Sequence, residues 1–345
     1  MIVSAPGAVD QSAKESPQAL AAWLRAQMLA DDVRITCLER MRGGAIQDNW
    51  RLDVTVEGGA WHGEHAFVLR TDAPSQVSAS LSRAQEFIVL RVAHDAGVLA
   101  PAPRFLCEDA QILGRAFFVM DRLPGIAAGH RLTREAALVP DAPALAYALG
   151  ANLARIHAIR PPLAAIPEAP HDPALETVAT YRRWLDAFDG AYPALEYALR
   201  WCGRHAPAAL DVTLVHRDYR TGNYLVDEGK LTGVLDWEFA GFGDPREDLG
   251  WFTARCWRFA APQREAGGIA PLAPFLDGYA SVAKRRFSGE ELVYWQVMAH
   301  LRWAIVALQQ ARRHRSERSL ELALTGWIVD ELAYEALRLI ERRST

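Results

Sequence analysis

The chain has 345 residues, of which 50% are hydrophobic and 23% charged, enough for a large core and for two lobes rather than one compact unit. Its 38 Lys and Arg residues and 42 Asp and Glu residues give a net charge of -4, which excludes the basic field that attracts nucleic acid. The N-terminus lacks a basic start followed by an apolar run, and no apolar stretch approaches a membrane span. We therefore expect a cytoplasmic protein with neither a nucleic-acid nor a membrane partner. The oligomeric state stays open.

The first predicted element is an amphipathic helix. Ser16 and Pro17 are residue types that favour an N-cap and the first helical position, and apolar residues from Leu20 to Met28 repeat on one face. The residues before this helix are expected to form a tail. We assign residues 1–31 to an N-terminal tail and helix.

Three strands and a second helix are predicted next. Apolar residues alternate at 33–37 and at 50–56, which is the period of half-buried strands, and a third strand is predicted at 66–70. A helix is expected from about residue 80 to residue 96, because Gly97 is a typical C-terminal residue. These elements predict a small unit rich in β-structure.

Two features of this unit could bind phosphate groups. Gly43 and Gly44, in the hairpin between the first two strands, permit close backbone approach to phosphates, although an ordinary hairpin turn needs the same residues. Arg70 on the third strand and Glu86 on the next helix could form an ion pair. Arg70 can grip two phosphate oxygens, and a plain surface salt bridge is the alternative.

The rest of the chain is predicted to be mainly helical. Pro124 and Gly125 form a turn before this part, and apolar residues follow helical spacing at 149–156 and 181–188. The C-terminal region from residue 251 combines tryptophans with a set of arginines, namely Arg255, Arg258, Arg302, Arg312 and Arg313.

The strongest functional signal is the motif His216-x-Asp218-x-x-x-x-Asn223, followed by Asp236. The spacing is typical of a kinase catalytic loop and of the metal-binding aspartate that follows it. A carboxylate can orient an attacking hydroxyl and accept its proton, while an amide and a second carboxylate supply hard oxygen ligands for Mg²⁺. Chance matching is the alternative, but apolar strands flank the functional residues, which favours phosphoryl transfer.

At these residues the chain resembles the aminoglycoside phosphotransferase family of kinase-like small-molecule kinases. Residues 241–250, 118–125 and 153–157 resemble the family's segment after the metal aspartate, its interlobe hinge and the helix under its catalytic loop. The resemblance covers residues 32 to 260, and the C-terminal part resembles the kinase domains associated with acyl-CoA dehydrogenases.

The resemblance implies an α+β, bilobal protein-kinase-like fold. A small, β-rich, nucleotide-binding N-lobe is expected at residues 32–122, and a larger helical C-lobe for catalysis and acceptor binding at residues 123–345. The implied reaction is transfer of a phosphoryl group to an alcohol, with ATP as donor, GTP left open, and Mg²⁺ as cofactor.

The resemblance also assigns roles to individual residues. Asp218 would be the catalytic base, Asn223 and Asp236 the metal ligands, His216 a support for the loop and Asp248 its anchor. The nucleotide would be bound by Gly43, Gly44, Arg70, Glu86 and by hinge backbone groups at Asp121 and Leu123.

Two positions depart from the family pattern, and the acceptor stays open. Arg70 stands where the family commonly has Lys, and Arg217 where it more often has Gly. The short segment from Asp236 to Asp248 leaves no room for a peptide platform, so we expect a small-molecule acceptor. The C-terminal arginines favour an anionic hydroxylated metabolite such as a hydroxyacyl-CoA, unless they are solvated or paired with Glu317 and Glu321. The alternatives are an aminoglycoside or macrolide antibiotic kinase and an inactive nucleotide-binding regulatory module.

Overall fold

The computed structural model describes residues 16–41, 47–72, 80–317 and 325–344. The chain divides into two compact units. The first comprises Met1–Arg91 with Pro101–Arg122, and the second comprises Val92–Ala100 with Leu123–Thr345.

The first unit is built on a five-stranded antiparallel sheet with the strand order β1-β2-β3-β5-β4. The strands are β1 (Asp32–Arg40), β2 (Gln47–Glu57), β3 (Gly63–Asp72), β4 (Pro103–Cys107) and β5 (Phe117–Asp121). The helices that begin in this unit are α1 (Ser16–Met28), α2 (Arg83–Asp95) and α3 (Ala110–Leu113). The predicted order of helix, three strands and helix is confirmed for the described residues. Strands β1 and β2 pair antiparallel as the predicted hairpin requires, and its turn at Gly43 and Gly44 lies outside the described residues.

Helix α1 belongs to the core of the first unit. Its residues Leu20 and Leu24 are fully buried, and the ring of Trp23 lies 5.0 Å from that of Phe117 on β5. The apolar face predicted from the helical period therefore packs on the sheet.

The second unit is mainly helical. Its helices are α4 (Gly129–Leu132), α5 (Ala142–Ile156), α6 (Pro173–Asp186), α7 (Pro193–Arg204), α8 (Pro245–Thr253), α9 (Leu272–Ala283), α10 (Gly289–Glu317) and α11 (Val329–Ser344). Two small antiparallel ladders pair β6 (Thr213–Val215) with β9 (Gly241–Gly243) and β7 (Tyr224–Asp227) with β8 (Lys230–Val234). Within the described ranges, no helix is both long and apolar enough to cross a membrane.

Helices α5 and α9 approach each other until their backbones touch. A Cβ atom on Gly150 would lie 1.9 Å from the carbonyl oxygen of Phe275, and one on Gly278 would lie 2.0 Å from that of Tyr147. Only glycine permits this approach. The contact holds together α5, which His157 directly follows, and α9, which carries Tyr279; these two side chains share a hydrogen bond of 2.8 Å.

Candidate active site

Asp218 lies in the loop between β6 and β7, and its carboxylate is held by three donors. Oδ2 accepts a hydrogen bond from the Asn223 amide at 2.5 Å, and Oδ1 accepts bonds from the Trp251 indole at 3.0 Å and from Arg220 Nε at 3.1 Å. The side chain is 14% exposed. The carboxylate is therefore fixed in orientation and still accessible to a reactant.

His216 supports this loop through both ring nitrogens. Nε2 donates to the carbonyl oxygen of Leu235 at 2.9 Å, and Nδ1 accepts from the backbone N–H of Asp218 at 3.2 Å. This pattern assigns the neutral Nε2–H tautomer. Burial lowers the pKa of His216, which agrees with a neutral ring. The contacts are those of a support and not of a reacting group.

Asp248 anchors the start of the β6–β7 loop from helix α8. Its carboxylate accepts backbone N–H bonds from His216 at 2.6 Å and Arg217 at 2.7 Å, and a bond from His157 Nε2 at 3.1 Å. Burial opposes ionisation, but the hydrogen bond and charge of His157 and the bond from His216 hold the pKa of Asp248 below its usual value. Tyr279 in turn bonds His157 at 2.8 Å, so α9 supports this anchor.

Asn223 and Asp236 flank the β7–β8 hairpin. Asn223 directly precedes β7, Asp236 follows β8, and the N–H of Leu235 bonds the carbonyl oxygen of Asn223 at 2.8 Å, which brings the two segments together. The side-chain N–H₂ of Asn223 is directed at Asp218, so its carbonyl oxygen is the end that can face a cation.

The donor set at Asn223 and Asp236 has the chemistry of a magnesium site. Within the described residues there is no group of three or more His, Cys, Asp or Glu side chains that could hold a metal ion. Mg²⁺ does not need such a group, because it is commonly held by one or two carboxylates together with water and substrate phosphates. One carboxylate and one amide therefore fit Mg²⁺ bound with a nucleotide.

Arg70 and Glu86 form a buried ion pair in the first unit. Arg70 Nε lies 2.9 Å from Glu86 Oε1, and their side chains are only 3% and 2% exposed, so this is not a surface salt bridge. Sequence reasoning missed Arg83, which contacts Glu86 and also lies 2.8 Å from Asp72. The i,i+3 spacing of Arg83 and Glu86 was the available signal.

The residues predicted to form the hinge lie at the end of β5 and just after it. Asp121 is the last residue of the strand, and its carboxylate accepts two bonds from Arg104, at 2.8 and 2.5 Å. Leu123 follows and is half-buried. Binding of a nucleotide base by the backbone groups of Asp121 and Leu123 stays a prediction.

Arg217 is accommodated by a special backbone conformation and by a neighbouring glycine. Its φ angle is 63°, a region that favours glycine, and its guanidinium donates to the carbonyl oxygen of Phe242 at 2.8 Å. A Cβ atom on Gly241 would lie 2.5 Å from Arg217 Nη1. Arg217 Nε also lies 3.5 Å from Glu247, whose pKa is raised by burial.

Two side chains at Asp218 were not predicted. Arg220 pairs with Asp218 and stacks on Trp257, with its guanidinium carbon 4.6 Å from the ring centroid. Trp251 is three residues after Asp248, so both face the β6–β7 loop from α8. Arg220 could have been found from its position inside the motif, whereas Trp251 required the three-dimensional structure.

The C-terminal arginines have separate partners. Each described arginine has a different partner: Arg255 pairs with Glu335 at 2.7 Å, Arg258 donates to the carbonyl oxygen of Thr253, Arg302 to that of Arg217, and Arg312 to that of Ala187. The side chains of Arg313, Glu317 and Glu321 lie outside the described residues. The idea of one anion-attracting arginine surface gains no support from these contacts.

Comparison with known sequences identifies a family and several relatives. The sequence profile of the Phosphotransferase enzyme family matches residues 38–286. Acyl-CoA dehydrogenase family member 10 of Mus musculus is 30% identical over 171 residues, covering 48% of this chain and 16% of that protein. Acyl-CoA dehydrogenase family member 11 of Gallus gallus is 28% identical over 201 residues, covering 55% of this chain and 25% of that protein. The chain thus spans a quarter or less of these relatives.

Comparison with solved structures concerns the fold. A Ralstonia eutropha JMP134 protein assigned by name to the aminoglycoside phosphotransferases has a TM-score of 0.75 and 20% identity, covering 94% of this chain and 98% of that one. A choline/ethanolamine kinase family protein from Mesorhizobium loti has a TM-score of 0.59 and 16% identity, covering 96% of this chain and 95% of that one. A thermostable mutant of the aminoglycoside phosphotransferase APH(4)-Ia, in ternary complex with AMP-PNP and hygromycin B, has a TM-score of 0.59 and 15% identity, covering 92% of this chain and 98% of that one. The predicted α+β kinase-like fold is confirmed.

Proposed function

The chain belongs to the phosphotransferase enzyme family, and on that premise we propose that it transfers the γ-phosphate of ATP to an alcohol group of a small molecule, with Mg²⁺ as cofactor. The enzyme class predicted from the sequence, a small-molecule kinase, is confirmed. The donor, the metal and the acceptor are the proposed part. A cytoplasmic location is also proposed, on the sequence pattern alone.

The observation that carries this proposal is the fixed carboxylate of Asp218. In phosphoryl transfer a carboxylate orients the attacking hydroxyl and accepts its proton. The bonds from Asn223, Trp251 and Arg220 leave the Asp218 carboxylate little rotational freedom. His216 and Asp248 fix the backbone beneath it. Asp218 is therefore our candidate base, and the other residues position it.

Asn223 and Asp236 are our candidates for holding Mg²⁺. The ion, when bound, would neutralise charge on the phosphate oxygens. Asn223 would have two tasks, because its amide N–H₂ orients Asp218 while its carbonyl oxygen is available to the ion. The protein thereby couples the position of the base to the position of the metal.

In the first unit, the Arg70–Glu86 pair is our candidate for phosphate binding. The bonds from Arg70 to Glu86 and to Asn49, the latter at 3.3 Å, fix the plane of the guanidinium, and Arg keeps its charge when buried. We assign nucleotide binding to residues 32–122. Gly43 and Gly44 would contact the phosphates, and the backbone of Asp121 and Leu123 would contact the base of the nucleotide. Catalysis and acceptor binding are assigned to residues 123–345. The complex of APH(4)-Ia with AMP-PNP supports a nucleotide donor.

For the acceptor we propose a hydroxyacyl-CoA or another anionic hydroxylated metabolite. The support is the match to acyl-CoA dehydrogenase family members 10 and 11, of which this chain spans a quarter or less. An aminoglycoside or macrolide acceptor is the second candidate, because solved structures of similar fold carry those names. An inactive module is disfavoured, since Asp218, Asn223 and Asp236 are all present.

The experiment is a direct acceptor screen. The protein is incubated with ATP or GTP and Mg²⁺ against hydroxyacyl-CoAs, aminoglycosides and macrolides, with phosphorylated products detected by mass spectrometry. Transfer to hydroxyacyl-CoAs at the highest rate supports the proposed acceptor. Much faster transfer to an antibiotic overturns the acceptor but keeps the kinase assignment. Equal product in wild type and in Asp218→Asn would overturn the proposed base.

A further inference from the structure

Arg220 lies in the β6–β7 loop, and Asp218 occupies only part of its guanidinium. Nε donates to Asp218 Oδ1 at 3.1 Å, and Nη1 lies 3.5 Å from the carbonyl oxygen of Thr221. In the described part of the chain no second carboxylate pairs with Arg220. Because a guanidinium has five N–H donors, most of its hydrogen-bonding capacity is left unused by these contacts.

The Nη2 group of Arg220 is accessible to solvent. The side chain is 27% exposed. Nη2 has no hydrogen-bond partner among the described residues, and it is not one of their buried nitrogen atoms that lack a partner, so solvent reaches it. The arginine therefore presents a charged donor at the surface, next to the proposed base.

The guanidinium of Arg220 is held in place by an aromatic ring and by a glycine. Its central carbon lies 4.6 Å from the ring centroid of Trp257, which in turn packs 5.0 Å from Trp251 and 4.9 Å from Trp303. A Cβ atom on Gly222 would lie 2.9 Å from Nη1, so glycine leaves room for the guanidinium. A guanidinium that is already oriented loses little freedom when it binds an anion.

The hydrogen bonds of Asp218 indicate where an acceptor hydroxyl binds. Oδ1 accepts from Trp251 and Arg220, whereas among the described residues Oδ2 accepts only from Asn223. Each carboxylate oxygen has about two acceptor sites, so Oδ2 retains one for the hydroxyl. Only the width of the carboxylate separates that site from Arg220, and a group a few bonds from the hydroxyl is within reach of Nη2.

Proton transfer to Asp218 would change the charge balance at Arg220. The ionised carboxylate balances the guanidinium, but after it accepts the proton of the hydroxyl it is neutral. A partly buried charge that loses its counterion is unfavourable. A negative group on the acceptor restores the balance, whereas a positive group makes it worse.

We propose that Arg220 binds a carboxylate or phosphate group of the acceptor, a few bonds from the hydroxyl that receives the phosphoryl group. Arg220 is thereby a specificity-determining residue, and the acceptor class is a hydroxy acid or a hydroxylated phosphate ester. The inference rests on the proposed function, because Asp218 is taken as the base. It narrows the anionic hydroxylated metabolite proposed there, since the charge must lie close to the hydroxyl.

The test measures the binding of matched pairs to the full chain by ligand-observed NMR titration. One pair is 3-hydroxybutyrate and 3-hydroxybutyramide, and the other is glycerol 3-phosphate and glycerol, so the two pairs distinguish carboxylate from phosphate. Mg²⁺ and AMP-PNP are present, and because AMP-PNP does not transfer its γ-phosphate, binding is measured apart from catalysis. We expect the anion of at least one pair to bind about tenfold more tightly than its uncharged partner, because a charge-assisted hydrogen bond separates them.

Substitution then identifies the arginine. Arg220→Gln removes the charge and should abolish the preference for the anion, whereas Arg220→Lys should retain only part of it, because Lys lacks the planar fork. Arg200→Gln on α7, at a side chain that is 73% exposed, loses the same charge and should keep the full preference. Equal affinities within both pairs, no saturable binding of either anion, or a preference that persists in folded Arg220→Gln would each overturn the proposal. If Arg220→Gln does not fold, an undiminished preference in Arg220→Lys overturns it.

Failure of this inference can be distinguished from failure of the proposed function. If the anion binds through Arg220 but no hydroxyl compound gains phosphate from ATP, the proposed reaction is wrong and the binding residue stands. If phosphate is transferred equally well to the anion and to its uncharged partner, the reaction stands and Arg220 does not determine specificity.

Discussion

At the residue scale, two aspartates with the same side chain have different environments. Asp218 is 14% exposed and receives donors on both carboxylate oxygens, while Asp248 is completely buried and receives two backbone N–H groups and His157. An accessible carboxylate can meet a reactant, and a buried one can only hold structure. Their substitution should therefore affect different quantities.

We expect Asp218→Asn to lower kcat by about two to four orders of magnitude with little change in nucleotide affinity, because the amide cannot accept the proton of the acceptor. Steady-state kinetics and calorimetric nucleotide titration measure the two effects. Asp211→Asn is the control, since Asp211 is 91% exposed, and it should leave both quantities unchanged. A fully active Asp218→Asn enzyme would remove the role of base.

We expect Asp248→Asn to lower the free energy of unfolding at pH 7 by about 2–4 kcal/mol, because two backbone N–H groups and His157 lose an ionised acceptor. The pKa of Asp248 is lowered in the folded state, so its carboxylate stabilises the protein above its usual pKa of 3.8. That contribution is lost as the pH falls through the folded-state pKa. Denaturant unfolding should therefore show the gap between wild type and variant narrowing below about pH 4. A gap independent of pH would contradict this.

At the scale of elements, two close approaches shape the second unit. The α5–α9 contact is made by backbone against backbone at Gly150 and Gly278, which cannot yield easily. The approach of Gly241 on β9 is to the flexible end of Arg217, which can move. Substitution should strongly lower the free energy of unfolding at the first site and lower it only modestly at the second.

We expect Gly150→Ala and Gly278→Ala each to destabilise the protein by about 1–3 kcal/mol or more, because the added Cβ would overlap a backbone carbonyl of the facing helix. Thermal unfolding measures the loss. Gly203→Ala on α7 is the matched control, because its Cβ meets its nearest atom at 3.8 Å. This control should be neutral or stabilising by up to about 1 kcal/mol. Similar melting temperatures for all three variants would argue against the close helix contact.

We expect Gly241→Ala to be destabilising by about 1 kcal/mol, since Arg217 must move from Phe242 and Glu247. Adding Arg217→Gly should remove most of this cost, because the clash disappears and glycine suits the positive φ. Unfolding of the two single variants and the double variant gives a coupling free energy. Additive effects would show that the two residues do not interact.

At the scale of the whole molecule, each unit contributes a different part of the proposed chemistry. The first unit supplies the Arg70–Glu86 pair, and the second supplies Asp218, Asn223 and Asp236. A ligand that binds the folded state raises its stability by mass action, so nucleotide binding can be measured on the intact chain without a known acceptor.

We expect Mg²⁺ with AMP-PNP, at about 100 times its Kd, to stabilise the wild type by about 2.7 kcal/mol and raise its melting temperature. Asp236→Ala should lose this response and Asn223→Ala should show a smaller one, because each lacks an oxygen ligand. Asp227→Ala, at the exposed last residue of β7, is the control and should respond like the wild type. A full Mg²⁺-dependent shift in Asp236→Ala would contradict the ligand assignment.

Much of the fold and the family followed from local patterns. The helical period located α1, the alternation of apolar residues located β2, and the spacing of His216, Asp218 and Asn223 indicated the catalytic loop. Strand β4 was not predicted, because its five residues include Pro103 and pair with the later strand β5. The roles of Gly43 and Gly44 stay predictions outside the described residues.

The sequence by itself determined the order and spacing of His216, Asp218 and Asn223, because these residues lie close together along the chain. Tertiary structure alone decided their partners: Trp251 on Asp218, His157 on Asp248, Arg83 on Asp72, and separate contacts for the C-terminal arginines. Most of these contacts join residues far apart in sequence. Their formation depends on helix packing and on close approaches such as Gly150 on Phe275, which no local pattern of polarity encodes.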